Sequence, residues 1–331
     1  FARMRGALLG FPGCALAIAF SGTRLARLGD RLAEITGLGR AWLGLVLMAT
    51  VTSLPELFVG ISSAGIHGNA DLAVGDVLGS CVFNLLILSV LDAFHRGPGL
   101  LRKVEPKQVL SAALGIVLLA LVGFGLFLPD QYVVMGWVGA LSIVFVGVYL
   151  VAMRMVYQHL GKSPAEDGQQ APDRSGLRRV VQWYIVHAAV VIAAALFLPG
   201  FAETITEETG LKASFVGTLL LATSTSLPEF AVSIAALRIG AVDMAVSNLL
   251  GSNLFNIVIL AIDDLVYSGG FLLKDASDAH LLSVLSTIIM SAIVIVGLTF
   301  RTAPKRFLLA WDTFLILVVY VVNLILLYRI A

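Results

Sequence analysis

Charge is what this sequence has least of. Only 13% of its 331 residues are Asp, Glu, Lys or Arg, where soluble domains carry roughly 25%. A soluble chain with 59% hydrophobic residues would have to hide them in one core, and single cores stop growing beyond about 250–300 residues. Cysteine is nearly absent. Cys14 and Cys81 both lie within apolar runs, so neither a disulfide framework nor a zinc site is available, and both read as packing residues. No phosphate-binding glycine loop, dinucleotide fingerprint or paired nucleophile and base is present, so the sequence indicates no enzyme and no cofactor. A net charge of +1 gives no basis for nucleic-acid binding. The chain opens at Phe1 with no cleavable signal pattern, and is expected to belong to a longer product.

What the sequence does have is one apolar run after another, with a mean hydropathy of +0.96. Windows of membrane-spanning length fall near 6–23, 42–64, 71–92, 107–128, 132–157, 179–200, 214–237, 242–267, 281–300 and 305–328. The expectation is an all-α polytopic membrane protein of ten transmembrane helices embedded in the lipid bilayer. When the connections are assigned alternately to the two sides, seventeen of the 22 lysines and arginines fall on one side. The positive-inside bias then places both termini outside and the polar segment His159 to Arg179 in the cytoplasm. The expected location is the cell (inner) membrane, and the expected functional unit is a monomer.

The chain repeats itself. Thr36-Gly37-Leu38 and Gly44 recur 173 residues later as Thr209-Gly210-Leu211 and Gly217. At the same offset Ala49, Thr50, Thr52, Ser53, Leu54, Pro55 and Glu56 recur as Ala222, Thr223, Thr225, Ser226, Leu227, Pro228 and Glu229. After a one-residue deletion, Asp71, Leu78-Gly79-Ser80 and Phe83-Asn84 recur as Asp243, Leu250-Gly251-Ser252 and Phe255-Asn256. This divides the chain into an N-terminal five-helix half, 1–157, holding repeat 36–88; a Gly- and Pro-rich cytoplasmic linker, 158–178; and a C-terminal half, 179–331, holding repeat 209–260. Five spans per half is an odd number, so the second copy enters the membrane inverted. Such repeats build midplane ion sites from interrupted helices.

The doubled Thr-Ser-Leu-Pro-Glu stretch carries the chemistry. A proline inside a helix lacks an N–H and clashes with the carbonyl one turn back, which frees the Val51 carbonyl at Pro55 and the Ser224 carbonyl at Pro228. In hydrocarbon a free carbonyl is tolerated only where it is buried in protein or faces a water-filled cavity. Spacing puts Thr52 on the face of Glu56 and Thr225 on that of Glu229, with Ser53 and Ser226 close by. A charged side chain at a helix centre costs about 2.5–3.5 kcal/mol on insertion scales, so intramembrane acids mark function. Ser80 and Asn84 share a face of the third span, as Ser252 and Asn256 do on the eighth, and Gly79 and Gly251 allow close helix approach.

All these donors are hard oxygens, which disfavours a soft transition metal. Calcium takes 6–8 flexible oxygen ligands, and two carboxylates are neutralised by one Ca²⁺ or two Na⁺. The inorganic cations expected as transported partners are therefore Ca²⁺ and Na⁺.

At these residues the chain resembles the sodium/calcium exchanger branch of the cation/Ca²⁺ antiporter superfamily, whose two inverted alpha-repeats carry Thr-Ser-Leu-Pro-Glu and Gly-Ser-X-X-X-Asn/Asp motifs. The resemblance implies Glu56 and Glu229 as central Ca²⁺ ligands, with Thr52 and Thr225 assisting through backbone oxygen. It implies Ser53, Ser80, Ser226 and Ser252 at flanking Na⁺ sites, with Asn84 and Asn256 facing the middle. It further implies exchange of Na⁺ for Ca²⁺ by alternating access, with the first and sixth helices sliding over the rest.

The chain departs from the family pattern at Val51 and Ser224, where the family has Gly. Asn at both 84 and 256 argues against K⁺ cotransport. Asp76 stands where Asn is expected and Asn248 stands in the other half. Asp76 has two readings: a third carboxylate near the outer entrance that tunes cation entry, or an acid reaching solvent at a helix end. Glu203, Glu207 and Glu208 read as a solvated cluster, Asp92, Asp263 and Asp264 as interfacial acids, and His187, Ser291 and Asn323 as packing groups. The alternative function is an H⁺-coupled exporter of Ca²⁺ or another divalent cation on the same fold. A non-transporting membrane receptor or scaffold is the third, and it leaves the paired acids unexplained.

Overall fold

The computed structural model describes residues 2–127, 133–135, 138–160, 176–209, 223–300, 305 and 308–330. Nearly all of these are helical: α1 (Ala2–Thr36), α2 (Arg40–Ile66), α3 (Ala70–Phe94), α4 (Gln108–Phe127), α5 (Ala140–Leu160), α6 (Leu177–Thr209), α7 (Leu227–Arg238), α8 (Val242–Val266), α9 (His280–Phe300) and α10 (Trp311–Ile330). Among the described residues nine helices are long and apolar enough to cross a membrane. The seventh expected span, 214–237, lies outside the described residues up to 222, as do residues 161–175 of the linker.

Several boundaries move. α1 continues thirteen residues past the expected end at 23, so Arg24, Arg27 and Arg31 sit on helix rather than loop. No stop signal occurs before Gly37, whose φ of +69° supplies the left-handed cap that ends helices. The Ser21-Gly22-Thr23 stretch that weakens the first span is a crossing point: a Cβ on Gly22 would lie 3.2–3.3 Å from Val232 and Ala231 of α7. The start of the fifth expected span is instead a short antiparallel ladder between Val133–Met135 and Val138–Gly139. The tenth begins at Trp311 rather than 305.

Polarity runs inside out. Leu16 and Phe20 of α1, Phe124 of α4, Leu150 of α5, Ile185 of α6, Ile289 of α9 and Ile325 of α10 are exposed, while Ser80, Asn84, Asn248, Ser252, Asn253 and Asn256 of α3 and α8 are buried. Lipid demands this arrangement, because hydrocarbon solvates apolar side chains and leaves polar ones only each other. α1 packs chiefly on α6, and α8 threads the centre against α2, α3, α4, α5 and α7.

The approach of α8 to α2 is backbone on backbone. A Cβ on Gly251 would meet the Leu45 carbonyl oxygen and lie 2.7 Å from its Cα, where no side chain can yield. On the facing side, a Cβ on Gly44 would meet Ser247 and the Met244 carbonyl. Overpacking a core costs about 1–3 kcal/mol where side chains can adjust. Here two helices must part, so Gly251→Val is expected to eliminate transport and lower the melting temperature of the purified protein, measured by tryptophan fluorescence.

The internal correspondence continues past the repeat read from sequence. Asp92 Oδ1 accepts the Leu100 N–H at 2.7 Å, and Asp264 Oδ1 accepts the Leu272 N–H at 2.8 Å. The second oxygen of Asp92 accepts from Ala310 N and Thr313 Oγ1, and that of Asp264 from Gly139 N and Ser142 Oγ. Asp71 accepts from Ser277 N and Asp243 from Glu105 N, at 2.6 and 2.7 Å. These acids tie each helix end to the chain's other half. Asp92, Asp263 and Asp264 are all buried within the protein, and Asp92 and Asp264 hold backbone N–H groups that would otherwise lack partners.

Candidate cation site

The helix of α2 breaks where the proline predicts. Ser53 has φ −90° and ψ 7°, ending the helical segment Ala49–Thr52, and Leu54–Ile61 resumes with Pro55 in its first turn. The second copy matches: Ser226 has φ −84° and ψ 7°, with Pro228 in the first turn of α7. Proline is tolerated at that place because the first N–H groups of a helix have no intrahelical partner. Glu56 and Glu229 follow in the same first turns, where exposed backbone N–H groups favour negative charge.

Every site residue expected from the sequence is buried. Glu56, Glu229, Thr52, Thr225, Ser226, Ser80, Asn84, Ser252 and Asn256 are fully enclosed, with Ser53 and Asp76 at 1% and 2% exposure. Their partners cross between copies. Ser53 Oγ donates to Glu229 Oε1 at 2.9 Å, and Ser226 Oγ donates to Glu56 Oε1 at 3.3 Å. Ser252 Oγ also reaches Glu229 Oε1 at 3.4 Å. Same-helix spacing would give each serine to its own glutamate. The turn at Ser53 and Ser226 redirects the hydroxyls across to the other copy, so the serines do not serve their own acids.

One oxygen of each glutamate is thereby held and the other left open: Glu56 Oε2 and Glu229 Oε2 are buried and make no hydrogen bond. The amides do likewise. Asn84 Nδ2 donates to Asn253 Oδ1 at 3.1 Å and Asn256 Nδ2 to Cys81 Sγ at 3.6 Å, while Asn84 Oδ1 and Asn256 Oδ1 stay unpaired. Four buried oxygen acceptors without donors are costly in a low-dielectric interior, and hard oxygens of this kind suit a cation. Among the described residues no three His, Cys, Asp or Glu side chains form a metal-binding group, so hydroxyl, amide and backbone oxygens must complete any shell.

One of the two readings of Asp76 is excluded. It is not an acid reaching solvent, being buried and accepting from Thr225 Oγ1 at 3.3 Å. Ser80 Oγ lies 3.5 Å from the same Thr225 hydroxyl. Asn253, which the sequence reading omits, orients Asn84 and also donates to the Cys81 carbonyl at 3.1 Å. Its equivalent in the first copy is Cys81, so no recurrence points to it. Cys81 itself is a packing residue at the site's edge, and His187 lies at α1, 3.4 Å from Ser21 Oγ. Asn323 is bonded to Ser286 at 3.0 Å.

A helical membrane bundle with matched broken helices and buried, unsatisfied carboxylate and amide oxygens is the architecture of a secondary transporter for inorganic cations. The chain belongs to the sodium/calcium exchanger protein family, whose model matches residues 6–157 and 180–329. It is a cation/Ca²⁺ antiporter of that family, a transporter and not an enzyme. CaxA, a candidate antiporter of Alkalimonas amylolytica, is 29% identical over 239 residues, covering 69% of this chain and 70% of its own. The sodium/calcium exchanger MaX1 of Methanosarcina acetivorans is 33% identical over 147 residues, covering 43% of this chain and 39% of its own. The fold matches that of the sodium-calcium exchanger NCX_Mj, solved after soaking in 10 mM Na⁺, with a TM-score of 0.74 over 97% of this chain and 99% of that one, at 21% identity.

Proposed function

We propose that this protein exchanges Na⁺ for Ca²⁺ by alternating access, with Glu56 and Glu229 as the central ligands. The observation that carries this reading is the pair of open glutamate oxygens, each fixed by a serine of the opposite copy. Two carboxylates balance one Ca²⁺ or two Na⁺, so the two occupancies exclude each other and exchange follows. Thr52 and Thr225 assist the central ion, Ser53, Ser80, Ser226 and Ser252 flank it with hydroxyls for Na⁺, and Asn84 and Asn256 turn their amide oxygens toward it. Asp76 adds a third charge beside the pair.

The protein acts as two inverted halves, 1–157 and 179–331, joined by the cytoplasmic linker 158–178, and works as a monomer in the cell (inner) membrane with both termini outside. The lysine and arginine distribution supports that orientation. α1 and α6, which pack mainly on each other, slide together over the remaining helices and open the site to one side and then the other.

Uptake of ⁴⁵Ca²⁺ into proteoliposomes under an outward Na⁺ gradient is the test. The expected result is uptake driven by Na⁺ and insensitive to an imposed H⁺ gradient. Uptake driven by H⁺ and indifferent to Na⁺ would establish the proton-coupled alternative, which the extra buried acid Asp76 favours. Silence under both gradients from a folded protein would leave the receptor reading.

A further inference from the structure

Glu56 and Glu229 do not exhaust the buried acid. Asp263, in the last turn of α8, is 0% exposed, and neither of its carboxylate oxygens has a hydrogen-bond partner. Its space is made by Gly60 of α2: a Cβ there would collide with the carboxylate oxygens and lie 2.7 Å from the carboxyl carbon. Asp76 of α3 is near enough to act on Asp263 electrostatically, and Asp76 Oδ2 is buried without a partner. Three open carboxylate oxygens are thus buried on α3 and α8, which pack on each other and on α2.

The other half shows what this place looks like without the acids. Repeat equivalence sets Ser233 against Gly60, Asn248 against Asp76 and Leu91 against Asp263. There Asn248 Nδ2 donates to Ser233 Oγ at 3.1 Å and Ser233 Oγ donates to the Ala245 carbonyl at 3.3 Å, while Leu91 sits in the apolar core. That network is neutral. Around Gly60, three differences act together: the hydroxyl is gone, the amide is replaced by Asp76, and Asp263 of the other half fills the vacated space. Asp263 has no donor and Asp76 has only the Thr225 hydroxyl, and such carboxylates are not held by packing alone, because uncompensated charge in such surroundings costs several kcal/mol per ion.

We infer that Asp76 and Asp263, over the gap at Gly60, form a second buried site for a hard cation beside the Glu56–Glu229 pair. Carboxylate oxygens select alkali and alkaline-earth ions over soft metals. Two charges match one divalent or two monovalent ions. Three protein oxygens fall short of the 6–8 that calcium takes, so the bound ion keeps part of its water. The site is independent of which ions the central pair exchanges.

Equilibrium dialysis of the purified full-length chain against ²²Na⁺, and separately against ⁴⁵Ca²⁺, tests the inference and identifies the ion. In a Glu56→Gln/Glu229→Gln background the expected result is one residual Ca²⁺, or one or two residual Na⁺, per chain, with the count lowered by at least one when Asp263→Asn is added. No residual ion in either arm, or residual binding unchanged by Asp263→Asn, would overturn the site. If the double variant fails to fold, Asp263→Leu in the otherwise native chain carries the test, since leucine occupies the equivalent place. A loss of one or two bound ions per chain supports the site, and an unchanged count refutes it. An infrared carboxyl band assigned to Asp263 by its disappearance in Asp263→Asn, present in saturating Na⁺ and Ca²⁺, would show a neutral acid instead and likewise refute it. Na⁺-driven Ca²⁺ uptake by the native protein is scored separately, so failure of the exchange reading leaves this ion count standing.

Discussion

Replacing Glu56 or Glu229 by glutamine is expected to lower Na⁺-driven Ca²⁺ uptake by about thirtyfold or more while the protein stays folded. Glutamine has the shape of glutamate, and its carbonyl oxygen can still accept from Ser226 or Ser53, the contacts observed at 3.3 and 2.9 Å. What disappears is one of two central charges, and in its place an amide N–H₂ points two donors at a cation. Removing one member of a buried charge pair costs about 2–5 kcal/mol, and 1.4 kcal/mol is tenfold in binding, so the loss spans roughly thirtyfold to several thousandfold. Uptake into proteoliposomes measures the rate, and size-exclusion elution in detergent checks the fold. Residual uptake above a tenth of native for both variants would remove the glutamates from the centre of the mechanism.

Asp92→Ala carries the largest expected effect on stability. The carboxylate accepts from Leu100 N, Ala310 N and Thr313 Oγ1 at 2.6–2.7 Å and pairs with Lys305 Nζ at 3.0 Å. Lys305 in turn donates to the backbone carbonyls of Asp92 and His95. Alanine would strand the buried Leu100 and Ala310 N–H groups, leave Thr313 Oγ1 only the Ala310 carbonyl and take the counter-charge from a largely buried ammonium, and each stranded neutral group costs about 1–3 kcal/mol. Stabilities of roughly 5–15 kcal/mol leave little margin, so the variant is expected to be recovered mostly unfolded. Asp92→Asn, which keeps one accepting oxygen, should fall between. Asp264→Ala strands Leu272 N, Gly139 N and Ser142 Oγ but no cation, and should cost less than Asp92→Ala. Thermal unfolding followed by circular dichroism ranks the three.

The bundle and the centre of its site were legible because they violate what lipid allows. Proline and glutamate inside an apolar run need a reason, and the doubled run pointed to a shared one. The helix breaks at Ser53 and Ser226, the burial of both glutamates and the close crossing at Gly251 follow from local chemistry that one-dimensional spacing expresses. The exchange of serines between copies does not follow from spacing, because helical periodicity was extrapolated across a residue with ψ near zero, where the face rotates. Recurrence was also blind to what one copy holds alone. Asn253 has Cys81 as its counterpart and Asp263 has Leu91, so neither stood out. Asp92 and Asp264 did recur, and their place at helix ends concealed that the chain folds back over them.

The crossed serine bonds bear on how two duplicated halves can diverge. A residue whose partner lies in its own copy can drift together with that copy. Ser53 answers to Glu229 and Ser226 to Glu56, so a change in either half is judged by the other, and the likeness of the copies is locked wherever their side chains bond across. One turn away the lock is released. Gly60 of the first half faces Asp263 of the second, where the equivalent residues are Ser233 and Leu91, and there each half holds one acid, Asp76 or Asp263, whose counterpart in the other is neutral.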